Sequence, residues 1–265
     1  TRLSLGVRRT TDEFTSKQDN FISILVPMPL IAAQTCDREV VTEYSSTTSR
    51  AVLQHDLNAD SNVYASFSEG FKAGGYATYE CTEPYDPEEV TSFELGFKGS
   101  LGENTSLNAS LFRYDYTDFQ VLQVVGIQTV TRNAGDATVN GLELEALSNI
   151  NDSLSINYGL TLLDATYGEF LNTNGIQPQL GEQQLEGNYL TNAPKVSINL
   201  GLNYTSLMSS GSSLTYRANA AYKSRIYFSE FNEYSQDAYT IVDLNLIWES
   251  SDETLRSRFF IKNAT

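Results

Sequence analysis

Few residues in this chain are of types that do chemistry. His55 is the single histidine, and no second His or Cys stands near it at ligand spacing, so neither a zinc site nor a nucleophile–base pair assembles locally. Glu143 and Glu145 point the same way along one segment, as a carboxylate pair for acid–base work would. Leu142 and Leu144 take the opposite side, however, and the simpler account is a strand with one watery face. GFKAGGY at 70–76 has three glycines but lacks the Lys-Ser/Thr ending and the helical period of a phosphate loop. Those glycines fit a strand bending into a loop. No catalytic, metal or cofactor motif emerges, and the expectation is a protein that is not an enzyme.

Other residues suit binding. Arg217, Lys223 and Arg225 share one parity, as do Arg256 and Arg258 further on. Such a basic stripe either meets an anionic ligand or an acidic partner, or is solvated and paired with Glu143, Glu145 and Asp243; the second account is the plainer one. Tyr76, Tyr79, Tyr85, Tyr189, Phe231 and Tyr234 fall in long polar stretches beside Tyr227 and Phe228. Aromatic faces among Asn, Gln, Asp and Glu suit sugar rings or other flat ring systems, and equally suit loop packing and interfacial anchoring. Cys36 and Cys81 either close one disulfide in an oxidising compartment or remain separate thiols.

The elements that would carry these residues are strands. Val196, Ile198, Leu200, Leu202 and Tyr204 alternate with polar or small residues, and the same period of two runs through 154–162, 214–223 and 242–248. With candidates at 3–9, 51–56, 62–71, 93–97, 107–116, 138–147 and 255–261, the chain has about eleven strands. In 107–116 the apolar parity switches after Leu111, which calls for either a bulge or aromatics projecting above a membrane. Short links rich in Asn, Asp, Ser and Gly (57–61, 100–104, 148–152, 206–212, 250–253) alternate with long polar ones (10–47, 72–91, 125–137, 171–191, 229–237). Short turns at one end and long loops at the other describe an all-β, antiparallel, up-and-down transmembrane barrel. Strands of about 9–11 residues would cross the bilayer at a tilt.

Composition closes off the other classes. Of 265 residues 40% are hydrophobic and 19% charged, and 17 Lys and Arg against 33 Asp and Glu leave a net charge of -16. With 16 Tyr and 13 Phe the chain carries too much aromatic surface for a disordered tail. The acidic balance disfavours nucleic acid as a partner. The longest apolar run, 22–33, contains Ser23 and two prolines and is short of the ~20 residues of a spanning helix. The chain opens on Thr1 without an export signal and stops after a strand, so the expectation is a fragment of a longer protein.

Several blocks then acquire a family resemblance. NVYASFSEGFKAGGY (62–76), YDPEEVTSFELGFKGSL (85–101), SLNASLFRYDYTDFQV (106–121), NAGDATVNGLELEA (133–146) and NAPKVSINLGLNY (192–204) resemble, in order and spacing, the barrel of TonB-dependent outer-membrane receptors. RSRFFIKNAT (256–265) resembles the family's next-to-last strand. The likeness covers nearly the whole chain and is weakest in 11–41. It implies energised uptake of a scarce nutrient, such as a ferric siderophore, cobalamin or an oligosaccharide, across the outer membrane of a Gram-negative bacterium. It also implies a barrel of about 22 strands, of which residues 1–265 would be the C-terminal part, with the N-terminal plug domain, the TonB box and the last strand lying outside this sequence. The implied partners are outer-membrane lipid, the plug, the TonB complex and the nutrient. The basic stripe and the two glutamates would face the lumen and plug, and the aromatic loops the ligand. The competing expectation is a soluble or cell-surface β-sandwich with a structural or adhesive role, its greasy faces packed together.

Overall fold

The computed structural model describes residues 1–20, 36–76, 84–125, 128–133 and 135–265. Eleven strands form one sheet: β1 (Arg2–Asn20), β2 (Cys36–Asp56), β3 (Ser61–Lys72), β4 (Glu88–Leu101), β5 (Thr105–Thr117), β6 (Ala137–Asn151), β7 (Leu154–Tyr167), β8 (Val196–Leu207), β9 (Ser213–Lys223), β10 (Tyr239–Glu249) and β11 (Arg256–Ile261). Each strand pairs antiparallel with its neighbours in sequence, and among the described residues β1 and β11 pair on one side only. The antiparallel order puts the short turns at 57–60, 102–104, 152–153, 208–212 and 250–255 at one end of the sheet and the described parts of the long connections at the other, as the linker pattern predicts.

Alternation dictates the two faces, and the register carries them from strand to strand. Val196, Ile198, Leu200, Leu202 and Tyr204 of β8 stand beside Leu162, Leu160, Tyr158, Ile156 and Leu154 of β7. On the other side Ile198, Leu200, Leu202 and Tyr204 meet Tyr222, Ala220, Ala218 and Tyr216 of β9. Among the described residues nothing covers this apolar face: Leu95 is 60% exposed and Leu111 55%. A contiguous apolar surface of that kind requires a nonaqueous neighbour.

The apolar band also steps along the ladder. The row of Leu5 runs through Ala51, Phe67 and Phe93, then turns polar at Arg113, Asn140 and Asp164. From the far edge, the row of Phe259 runs through Leu246, Tyr216, Tyr204 and Leu154, then meets a turn at Asn151. A level belt drawn across tilted, staggered strands shifts along the register in this way, and tilt with stagger is what a closing sheet requires.

The short turns close with the side chains that their composition anticipates. Asn58 Oδ1 accepts from the Asp60 N–H at 2.8 Å, and Asn151 Oδ1 accepts from both Ser153 and Leu154 N–H at 2.9 Å. Gly102 and Gly211 take φ of 67° and 82°, where a side chain would be strained.

Three expectations change. First, 10–47 is largely not a loop: β1 and β2 pair without interruption from Arg2–Gln54 to Asn20–Cys36. Polar residues hide the strands because, beyond the apolar band, both faces are wet and the period of two has nothing to separate. Second, the parity switch in β5 involves no bulge, since its ladders to β4 and β6 are continuous. The apolar face ends at Leu111, Arg113 and Asp115 continue that side, and Phe112, Tyr114 and Tyr116 lie on the polar face. The irregularity in this part of the sheet is instead at Asn149–Asn151. Third, the glycines of 70–76 serve close approach rather than a turn. A Cβ on Gly74 would lie 2.3 Å from the Tyr85 carbonyl oxygen, and one on Gly75 would lie 2.6 Å from the Tyr85 hydroxyl.

The long loops carry their own order. Gln120–Val125 pairs with Gln128–Asn133, Leu171–Thr173 with Glu182–Gln184, and Ile226–Tyr227 with Ser235–Gln236. Tyr167, Phe170 and Leu185 are buried together, and Phe119, Val121, Leu190 and Phe231 pack against them. This packed cluster lies at the loop end of the sheet, anchored on Tyr167, the last residue of β7.

Candidate functional site

Two regions gather polar and aromatic groups: the polar face of the wall and the loop end. On the wall, glycines let cross-strand aromatics lie flat. A Cβ on Gly96 would meet the Tyr64 ring at 2.3 Å, and one on Gly141 would meet the Phe112 ring at 2.2 Å. The Tyr64 hydroxyl donates to the Glu94 carboxylate, and Lys98 Nζ stands 5.2 Å over the Tyr64 ring. Glu143 shares a register row with Ser110, Gly96 and Tyr64, while Glu145 shares one with Asn108 and Lys98.

The basic residues are elsewhere on the same face. Lys223 continues the Glu143 row through Thr161 and Ser197, two strands removed from β6 by β7 and β8. Arg217 Nε donates to Asn203 Oδ1 at 2.9 Å, and Arg258 Nε to Asn245 Oδ1 at 2.9 Å. Arg256 stands opposite Glu249. Arg225 lies beyond the wall and pairs with Asp237 at 2.6 Å. Among the described residues the ion pairs are Arg2–Asp56, Arg113–Asp115 and Arg225–Asp237, so Glu143 and Glu145 are not neutralised by the stripe. His55 Nδ1 lies 2.7 Å from the Thr1 hydroxyl at the open edge.

The loop aromatics divide into separate groups. Tyr76 bonds Thr42 through its hydroxyl, and Tyr85 exchanges main-chain hydrogen bonds with Gly75 while its carbonyl accepts from the Tyr44 hydroxyl at 3.1 Å. Phe231 is drawn into the packed cluster, whereas Tyr234 is half exposed. Tyr79 and Cys81 lie outside the described residues. Cys36 is described only as the first residue of β2, opposite Asn20, so the disulfide expectation falls outside them too.

Tyr189 has the richest surroundings. Its ring stacks on Tyr227 at 5.9 Å with planes 10° apart, and Lys195 Nζ sits 3.9 Å over it. A cleft of about 520 Å³ opens there between Tyr189, Lys195, Ser224, Arg225, Tyr227 and Asp237. Hydrogen bonding to Asp237 holds the Arg225 guanidinium above its ordinary pKa. Stacked phenols beside Lys195 and the Arg225–Asp237 pair can take a planar ring through stacking on its face, with Lys195 left to meet an anionic edge. Sequence reasoning singled out Tyr189 as a loop aromatic and Arg225 as a lumen-facing charge; the structure sets both on one cleft, beside Lys195, which that reasoning did not name. The available signal was position: Lys195 immediately precedes the alternation that opens at Val196, and so sits at the rim.

An exposed apolar band on a staggered meander, with every long loop at one end, is the wall of a transmembrane barrel. A family model described as TonB dependent receptor-like, beta-barrel matches residues 1–264. The chain belongs to the TonB-dependent receptor family. Over 147 residues this receptor barrel is 33% identical to the probable TonB-dependent siderophore receptor PiuA of Acinetobacter baumannii, covering 54% of this chain and 18% of PiuA. Over 201 residues it is 22% identical to the ferrioxamine B receptor of Salmonella typhimurium, covering 76% of this chain and 27% of that receptor. The crystal structure of the ferric yersiniabactin uptake receptor FyuA from Yersinia pestis matches it with a TM-score of 0.76 at 18% identity, over 99% of this chain and 37% of FyuA. The chain therefore spans less than a third of the length of these two curated relatives. The family is one of outer-membrane transport receptors rather than enzymes.

Proposed function

We propose that residues 1–265 are the C-terminal part of the barrel of a receptor that takes a ferric siderophore across a Gram-negative outer membrane with TonB energy. The apolar band would face lipid, and the polar face would face a plug domain and its passage. The observation that carries this is the continuous eleven-strand meander with its apolar face uncovered and its long loops together. A soluble sandwich would instead seat that face against a second sheet. Among cobalamin, oligosaccharide and iron chelate, the last is favoured by the relatives, which are siderophore receptors, and by the Tyr189–Tyr227 cleft with Lys195 over its ring. Tyr76, Tyr85 and Tyr234 would shape the mouth around it, and Glu143, Glu145, Arg217, Lys223, Arg256 and Arg258 would line the plug side.

The test is uptake of radiolabelled iron by iron-starved cells that make no siderophore of their own, offered separately a ferric catecholate, a ferric hydroxamate and a ferric phenolate. Energy-dependent uptake of one of them, lost when either this receptor or TonB is deleted, is the expected result. Equal uptake in the deletion strain for all three would end the siderophore assignment.

A further inference from the structure

We infer that the loops 168–195 and 224–238 form one pre-latched unit before any ligand arrives, and that Asn232 is the positioning residue that holds Tyr189 in its cleft. Asn232 stands in the left-handed region at φ 56°. From there its side-chain amide engages both main-chain groups of one residue in the other loop: Oδ1 accepts from the Tyr189 N–H at 2.8 Å, and Nδ2 donates to the Tyr189 carbonyl at 2.9 Å. An amide used in this way stands in for a strand partner, so Tyr189 is fixed in register on the side that faces the loop 224–238. Thr166 of β7 bridges Tyr189 from the other side.

Further contacts run the same way between the two loops. Asn172 and Asn174 are 2% and 3% exposed, and their amides donate to Glu230 Oε1 at 3.1 Å and Glu233 Oε2 at 2.8 Å. Asn188 Nδ2 donates to the Glu230 carbonyl at 2.9 Å, and the Asn192 N–H donates to the Tyr227 carbonyl at 2.9 Å. Phe231, between the two glutamates, is packed on the Tyr167–Phe170–Leu185 cluster. Buried amides that each hold a charged acceptor are costly to separate, because parting the loops would strand them. The loops therefore move together or not at all, and the ligand enters a cleft whose stacked rings are already set.

The assignment of Tyr189 to ligand rests on the proposed siderophore function; the latch itself does not. Three variants of the full receptor in native outer membranes test both. In the first, Asn174→Cys with Glu233→Cys is treated with a short bis-maleimide without ligand, and the linked peptide is mapped by mass spectrometry. A linked peptide in high yield, with binding of the transported ferric siderophore within about twofold of the unlinked receptor, is expected. No link in the ligand-free receptor, or binding lost on linking, overturns the latch. In the second, Asn232→Gly keeps the backbone conformation and removes the amide. Affinity lower by about tenfold, with the heat-resistant barrel band unchanged, is expected from the loss of both hydrogen bonds to Tyr189, the amide's third, to the Ser229 carbonyl at 3.2 Å, lying within its own loop; wild-type affinity overturns the positioning role. Wild-type affinity of Tyr189→Ala would remove the cleft from ligand binding, an outcome that the crosslink yield does not share.

Discussion

From Leu3 to Val7, β1 sets apolar side chains on one face; from Thr10 to Asn20 the same strand, in the same ladder with β2, has Phe14 as its one large apolar residue. The wall and the loop end are thus built from one sheet under two solvents. A tilted strand needs about 9–11 residues to cross a bilayer, yet β1 has 19 and β2 has 21. The surplus continues past the apolar band, where water wets both faces and alternation loses its cause. The difference teaches that a period of two records the boundary between two solvents, and that pairing itself persists without it. It also separates two kinds of surface: the wall leaves its apolar face uncovered by the described residues, while the loop end packs a cluster of its own.

Removing part of that loop core is the strongest way to separate the two regions. Phe170 is buried with its ring 5.4 Å from that of Tyr167. Phe170→Ala should cost the loop end about 3–5 kcal/mol. The loss should show as new protease cuts within 168–195 while the barrel band in unheated gels persists. Loss of the barrel band as well would mean that the loop core and the wall fold as one unit.

Charge placed on the apolar face should give the next largest effect, in the opposite region. Leu95 sits mid-band between Phe93 and Phe97, so Leu95→Arg should destabilise the assembled barrel by about 2–4 kcal/mol. Val41, on the β2 extension and 58% exposed, should tolerate Arg within about 0.5 kcal/mol. Urea refolding into lipid vesicles measures both, and equal costs would contradict the placement of the band.

The same division explains what could be read in advance. Where lipid and lumen oppose each other, the expected strands 196–205 and 214–223 match Val196–Leu207 and Ser213–Lys223 closely. The stretches 10–20 and 36–47 read as loop because their sequence carries no face. At the site, Tyr189 and Arg225 were legible as an aromatic in a polar stretch and a cation on the inner parity. The stacking of Tyr189 on Tyr227, the cation over it and the amide clamp from Asn232 were not, since these partners lie between 6 and 43 residues away. Phe231 shows the converse: by type it suits a ligand, and by long-range packing it belongs to the loop core.

A finer comparison lies within the polar face. Gly141 and Gly159 lie on neighbouring strands, but a Cβ at Gly141 would collide with the Phe112 ring, whereas one at Gly159 would make only ordinary contact at 3.8 Å with Asn199. Gly141→Ala should cost about 1–3 kcal/mol through the displaced ring, and Gly159→Ala should stay within about 0.5 kcal/mol. If both are neutral in the same refolding titration, the flat-lying aromatics do not depend on their glycines.

The smallest expected effect is at the turn end, far from the loop core, and it is a pH dependence. Asp252 closes the β10–β11 turn by accepting from the Ser250 hydroxyl at 2.6 Å, the Thr254 hydroxyl at 2.8 Å and the Thr254 N–H at 3.2 Å. These hydrogen bonds, Ser250 first, favour the carboxylate and hold its pKa at about 2. Because the folded value lies below the unfolded one, the turn is stabilised at pH values above the ordinary carboxylate range, and that contribution is lost as pH falls toward 2. Amide exchange at Thr254 and Leu255, corrected for its intrinsic acid dependence, should therefore accelerate between about pH 4 and pH 2. The acceleration should be absent in Asp252→Asn. Protection unchanged across that window would mean that β11 is held by its ladder with β10 alone, and that the turn contributes nothing to the edge of the wall.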